Sequence, residues 1–104
     1  MKKVIILDTK KEDLEGEGIF LIDSEKISCV AVERSTIGAD SQKFGIRISG
    51  FGVNHFFHIS YSRSSKMDAD KQKHFLMKLQ SRLAKDLWKD TTLETSMASE
   101  QYGL

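Results

Sequence analysis

Proline is absent from this chain of 104 residues, and cysteine occurs only once. Without proline, the turns must be made by glycine, asparagine, aspartate and serine. The single cysteine, Cys29, cannot form a disulfide within the chain. Because Cys29 lies in an apolar run, we expect a buried, reduced thiol, which is typical of cytoplasmic proteins.

Long apolar runs are absent too. No stretch approaches the roughly 20 apolar residues that a membrane-spanning helix requires. The lysines at positions 2 and 3 precede only four apolar residues, at positions 4–7, a run too short for the apolar region of a signal peptide. The sequence therefore predicts a cytoplasmic protein with no membrane partner.

An excess of charge of one sign is also lacking, since the formal net charge is +1. Such a balance produces no global field that would attract nucleic acid or an acidic substrate. Hydrophobic residues make up 39% and charged residues 30% of the chain, which is usual for a globular protein. The length predicts a single α+β domain over residues 1–90 and a polar tail over residues 91–104 with little fixed structure.

One amphipathic helix is predicted over residues 70–89. Its apolar residues recur at the spacing of a single helical face. They are Phe75, Leu76, Leu79, Leu83 and Leu87. Helix-favouring residues fill most other positions, and neither glycine nor proline interrupts the segment. Ser65, Asp68 and Asp70 are the candidate N-caps.

Short strands are predicted before this helix, at residues 4–7, 18–22, 27–33, 44–49 and 55–61. The fourth alternates cleanly, with Phe44, Ile46 and Ile48 on one face. The first three are apolar on both faces, so the sheet either curls on itself or meets another surface. The predicted class is α+β: a small antiparallel, curled sheet of about five strands, followed by one long C-terminal amphipathic helix packed on one face.

No arrangement of residues predicts catalysis, a cofactor or a metal. His55 and His58 are three residues apart on a predicted strand, so their side chains point to opposite faces and cannot share one ion. The apolar neighbours of Cys29 favour inert packing over a role as nucleophile. The sequence contains neither a Gly-x-Ser-x-Gly elbow nor a phosphate-binding glycine motif. We therefore expect a protein that is not an enzyme.

Residues 49–56 resemble in part the RNP1 signature of the RNA-recognition motif, at Gly50, Phe51, Gly52 and Phe56. That family places a helix after its first strand and a strand after its last helix, and the predicted element order provides neither. The family is therefore not assigned. Phe51, at the tip of a predicted turn, and Phe56 remain candidate contact residues.

Two further groups on the predicted helix are candidates for binding. Met77 and Trp88 lie about 100° from the centre of the leucine face. Either they form the edge of a wide core face, which we favour, or they contact a second chain, since Met and Trp are enriched in interfaces. A basic stripe on the other flank is either a solvated face, which we favour, or a surface for anions or nucleic acid. The basic stripe consists of Lys71, Lys78, Arg82, Lys85 and Lys89.

The excess of apolar residues favours a non-enzymatic protein–protein interaction module, such as a small adaptor, inhibitor or regulatory protein, that also forms a homodimer. The predicted interface residues are Met77, Trp88, Phe51 and Phe56. The alternative is a nucleic-acid or anion binder that uses the basic stripe, with affinity that falls steeply as salt rises. The two hypotheses therefore place the binding site on different surfaces.

Overall fold

The computed structural model describes residues 3–35 and 43–89. In these ranges the chain forms strands first and one long helix last, in the order that the sequence predicts. The strands are β1 (Val4–Asp8), β2 (Ile19–Asp23), β3 (Ile27–Arg34), β4 (Phe44–Gly50) and β5 (Val53–His58). A short helix, α1 (Tyr61–Ser64), precedes the long helix, α2 (Ala69–Leu87). The predicted α+β class is confirmed.

The strands form two antiparallel sheets rather than one. β1 pairs with β2, and β4 lies between β3 and β5. A single 3-10 turn, Ser24–Lys26, connects the two sheets, and the carboxylate of Asp23 caps it by accepting the N–H of Glu25 at 3.1 Å. Both sheets contribute to one hydrophobic core, which is consistent with the predicted curl.

The core lies where the inner faces of the strands meet α2, which packs against β3 and β4. Ile46 of β4 and Leu76 of α2 are both 0% exposed. The predicted leucine face is largely confirmed, since Leu79 and Leu83 are buried beside Leu76, whereas Phe75 and Leu87 pack at its edge. The first sheet contributes Ile5, Leu7 and Ile22.

Cys29 is exposed, so the prediction of a buried thiol is wrong. The register between β3 and β4 shifts between Ile27 and Cys29, where a bulge adds one residue to β3. Ile27 is buried, and regular alternation would have placed Cys29 on the same face of the strand. The bulge turns Cys29 to the opposite, outer face.

The helix boundaries differ slightly from the prediction. Asp68 is the N-cap of α2, since its carboxylate accepts the N–H of Lys71 at 2.9 Å. β5 ends at His58, and α1 occupies Tyr61–Ser64, part of which the sequence assigned to the last strand. The predicted tail, residues 91–104, lies outside the described residues. Within the described ranges, no helix has the length and apolar character to span a membrane.

Gln72 of α2 is a buried polar residue that the pattern of apolar residues does not identify. Its Oε1 accepts a hydrogen bond from the N–H of Phe44 at 3.1 Å, and its Nε2 donates to the carbonyl of Met67 at 3.2 Å. The amide thereby ties the start of α2 to the start of β4.

We expect Gln72→Ala to lower the free energy of unfolding by about 1–3 kcal/mol, because the N–H of Phe44 would then be buried without an acceptor. Urea denaturation followed by circular dichroism measures this change. Lys71→Ala, at the exposed neighbouring position, is the control. An equal effect of the two substitutions would contradict the assigned role of the Gln72 amide.

Candidate functional site

The outer face of the β1–β2 sheet exposes large aliphatic side chains. Val4 is 51% exposed, Ile6 69%, Ile19 68% and Leu21 70%. Successive side chains of a strand point to opposite faces, so Ile5, Leu7 and Ile22 fill the core while their neighbours face outward. We call the four outward residues Val4, Ile6, Ile19 and Leu21 the aliphatic band.

The register of the two strands sets the shape of the band. Ile6 lies opposite Leu21 at its centre. At one end Val4 lies opposite Asp23, and at the other end Ile19 lies opposite Asp8. The aliphatic residues therefore run diagonally across the sheet, with one aspartate on each side of the diagonal.

Both aspartates are turned towards the neighbouring loops. The Oδ1 of Asp8 accepts the N–H of Lys10 at 3.1 Å and that of Lys11 at 3.4 Å. The Asp23 carboxylate caps the 3-10 turn that follows β2. These bonds hold the two carboxylates against the adjoining loops. The exposed surface at the centre of this face is therefore aliphatic.

The sheet beneath the band is anchored at several points. Thr9 is buried, and its hydroxyl donates to the carbonyl of Gly16 at 3.0 Å. The inward ring of Phe20 packs against the rings of His55 and Phe57, with centroids 5.3 and 5.0 Å away. The aliphatic band is therefore presented on a fixed platform rather than on a loop.

The residues predicted as a protein interface lie apart from one another. Met77 on α2 and Trp88 at its C-cap are half-buried, and Trp88 packs against the core. Phe56 lies on the outer face of the three-stranded sheet, opposite to α2, with the guanidinium of Arg47 4.8 Å from its ring centre. Phe51 is 87% exposed at the β4–β5 turn. The structure does not assemble these four into one surface.

Most polar groups on the outer face of the three-stranded sheet are paired with one another. The Nε of Arg47 donates to Glu33 at 2.8 Å, and its Nη1 donates to the side-chain oxygen of Asn54 at 2.7 Å. His58 lies 3.7 Å from the carboxylate of Glu15. The two hydrogen bonds of Arg47 connect β4 to the strands on either side of it. The Nε2 of His58, in contrast, is buried and has no hydrogen-bond partner among the described residues.

The basic stripe is interrupted by an ion pair. Arg82 donates through both terminal nitrogens to Glu12, with Nη1 3.4 Å from Oε1. The hydrogen bond that Arg82 donates to Glu12 raises the pKa of Arg82, and the charge of Asp86 acts in the same direction. The remaining members of the stripe, Lys71, Lys78, Lys85 and Lys89, are exposed.

No group of three or more histidine, cysteine, aspartate and glutamate side chains in the described part of the chain could hold a metal ion. Comparisons of the chain with models of protein families, with curated proteins and with solved structures find no match. The class of the molecule is therefore defined by its α+β fold, and its candidate site by the exposed aliphatic band.

Sequence reasoning missed the residues of the band, although it contained their signal. The runs at positions 4–7 and 19–22 are apolar at every residue, which predicts spare apolar surface on one face. The runs do not reveal which face is spare, because both alternating sets are apolar.

Proposed function

We propose that this chain is a non-enzymatic protein-binding module, of the adaptor, inhibitor or regulatory kind, that binds its partner through the aliphatic band. The observation that carries the proposal is the exposure of four large aliphatic residues, each more than half exposed, on one face of a sheet. Contiguous apolar surface of this kind, with polar groups at its rim, is a mark of protein interfaces.

The energetics support this use of the surface. Full burial of such a side chain contributes roughly 1.5–3 kcal/mol, so covering four that are half to two-thirds exposed contributes roughly 4–8 kcal/mol before the cost of association. The cost of association, about 4–15 kcal/mol, is of similar size, so a complex also needs the apolar surface of the partner and polar contacts at the rim.

The shape and charge of the face favour a protein over other ligands. Small molecules bind in concave pockets that enclose most of their surface, whereas this face is the open side of a two-stranded sheet. Nucleic acid and anionic lipid require basic residues around the contact. The paired positions that flank the band are both acidic, Asp8 and Asp23, and the exposed Lys3, Lys10 and Lys11 lie outside the two strands.

The basic stripe gives the second candidate function, the binding of nucleic acid or another anion. Three exposed lysines on α2 and Lys89 just beyond its end are the observation that favours it. The pairing of Arg82 with Glu12 removes the central cation from the stripe, and Asp86 adds a negative charge nearby. We therefore place this candidate second.

A substitution pair separates the two candidates. We expect the immobilised chain to retain a protein from an extract of its source cells, and the double variant Ile6→Thr/Leu21→Thr to lose at least about ten-fold in affinity for it. Threonine suits an exposed strand position because it is β-branched, so the fold should persist by circular dichroism.

Phe51→Ser is the matched control, since Phe51 is apolar and even more exposed than the residues of the band but lies outside it. The Phe51→Ser variant should retain the same extract protein with the same affinity as the parent. Equal retention by the parent and the double variant would overturn the proposal. Binding of mixed oligonucleotides that weakens steeply with salt, and that is unaffected by the double variant, would support the basic stripe instead.

A further inference from the structure

We infer that the occupant of the aliphatic band is a second copy of this chain, bound in a reversible two-fold dimer. The inference rests on the proposed function and adds to it the identity of the partner. It is carried by the pattern of residues across the β1–β2 sheet, by the charge of the chain and by the size of the apolar surface.

The pattern on the outer face has a local two-fold symmetry. Consider an axis perpendicular to the sheet that passes between the opposed residues Ile6 and Leu21. A half-turn about this axis exchanges Val4 with Ile19, both aliphatic, and Asp8 with Asp23, both acidic. The two halves of the face therefore carry the same chemistry in the same places.

Such a face is suited to contact a copy of itself. In a two-fold dimer the same patch is used by both subunits, so the patch must be complementary to itself. Two diagonal bands can be superposed with aliphatic residues on aliphatic residues along their whole length. In that arrangement Asp8 and Asp23 of each copy stay at the rim, where they remain hydrated.

Charge does not oppose the pairing of two copies. The chain has 16 lysine and arginine residues against 15 aspartate and glutamate residues, for a formal net charge of +1. Long-range repulsion between two such molecules is weak. The aspartates that flank the band are also held towards their own loops by backbone N–H groups, which directs their charge away from the centre of the contact.

The area of the band places the dimer among the weak, reversible associations. The diagonal of the band crosses the five paired positions of the two strands, or about 14 Å, and such patches measure a few hundred square ångströms. A standard stable interface buries about 800 Å² on each partner. The band is smaller, so we expect a dimer that dissociates in the micromolar range rather than an obligate one.

Sedimentation velocity of the full chain between about 1 µM and about 1 mM tests the inference. We expect a monomer–dimer equilibrium within this range. Ile6→Thr/Leu21→Thr should raise the dimer dissociation constant at least about ten-fold, since each dimer loses aliphatic contacts from both copies. Phe51→Ser should leave that constant unchanged.

A second measurement covers the case in which the double variant does not fold. Amide chemical shifts of the parent chain should change with concentration, and the changes should map to β1 and β2. A parent that stays monomeric over the whole range would overturn the dimer, as would shift changes confined to α2 or to the three-stranded sheet.

The outcomes also separate this inference from the proposed function. The parent chain could be monomeric and still retain an extract protein in a way that depends on Ile6 and Leu21. That result would overturn the second copy as the occupant, but the band would remain a binding site. If the double substitution changed neither dimerisation nor the binding of an extract protein, the dimer and the proposed function would both be overturned.

Discussion

The Gly50→Ala variant is expected to lose the native structure. Gly50, at the end of β4, lies opposite Ile27, where the bulge of β3 begins. A Cβ atom at Gly50 would overlap the carbonyl oxygen of Lys26, and it would lie 2.7 Å from the carbonyl carbon of Lys26 and 2.9 Å from the Cα of Ile27. All three atoms belong to the backbone, so no side-chain rotation relieves the clash.

The backbone around Gly50 has little room to move. The carbonyl of Lys26 accepts the N–H of Phe51 at 2.9 Å, and Ile27 is part of the core. Separating the two segments would therefore break the end of the β3–β4 ladder and expose Ile27. We expect a loss above about 4 kcal/mol, against a net stability of about 5–15 kcal/mol for a typical domain.

Thermal unfolding followed by circular dichroism measures this effect, and Gly52→Asn is its control. Gly52 has a φ of +75°, and an added Cβ would meet no atom within 4 Å. Asparagine is one of the residues that enter this left-handed region most readily, so the control should lose about 1 kcal/mol or less. A Gly50→Ala variant as stable as this control would show that the close approach to Lys26 is not a constraint.

Periodicity was sufficient to predict the class of the fold. The alternation of Phe44, Ile46 and Ile48 placed all three in the core, where the structure has them. The helical spacing of Leu76, Leu79 and Leu83 did the same for α2. These predictions succeeded because each pattern has only one apolar face, so only one orientation buries it.

Prediction failed where a backbone irregularity changed the face of a side chain. The bulge between Ile27 and Cys29 moves the thiol to the outer face of β3, and no residue type in that stretch requires a bulge there. Gln72 was missed for a related reason. Its burial depends on the N–H of Phe44 and the carbonyl of Met67, which come together only in the folded chain.

The sequence predicted that spare apolar surface exists, but it did not identify the residues that form it. Strands apolar on both faces predicted spare apolar surface on the sheet, but the residues predicted as the interface were Met77, Trp88, Phe51 and Phe56. The helical pattern alone cannot show whether the sheet reaches far enough to cover Trp88. In the structure Trp88 packs against the core. Among the described residues, the most exposed aliphatic face instead belongs to β1 and β2. Which of their residues face outward is decided by which ones pack into the core.

Leu76→Ala is expected to be the most destabilising truncation on α2. Leu76 is 0% exposed and belongs to the core cluster that includes Ile46 of β4. Replacing a buried leucine by alanine removes apolar contacts and leaves a cavity, at a cost of about 2–5 kcal/mol. For a domain of this size each kcal/mol lowers the midpoint of thermal unfolding by about 4–8 °C, so we expect a fall of at least about 10 °C.

The same variant separates the stability of the fold from the proposed binding surface. Leu76 lies on α2, which packs against β3 and β4, whereas the aliphatic band lies on the outer face of β1 and β2. Below its midpoint, Leu76→Ala should therefore dimerise with the affinity of the parent. Lys78→Ala, exposed on the same helix, is the control and should change stability by about 0.5 kcal/mol or less. A folded Leu76→Ala variant that dimerises more weakly than the parent would contradict this expectation. It would show that the geometry of the aliphatic band depends on the packing of α2.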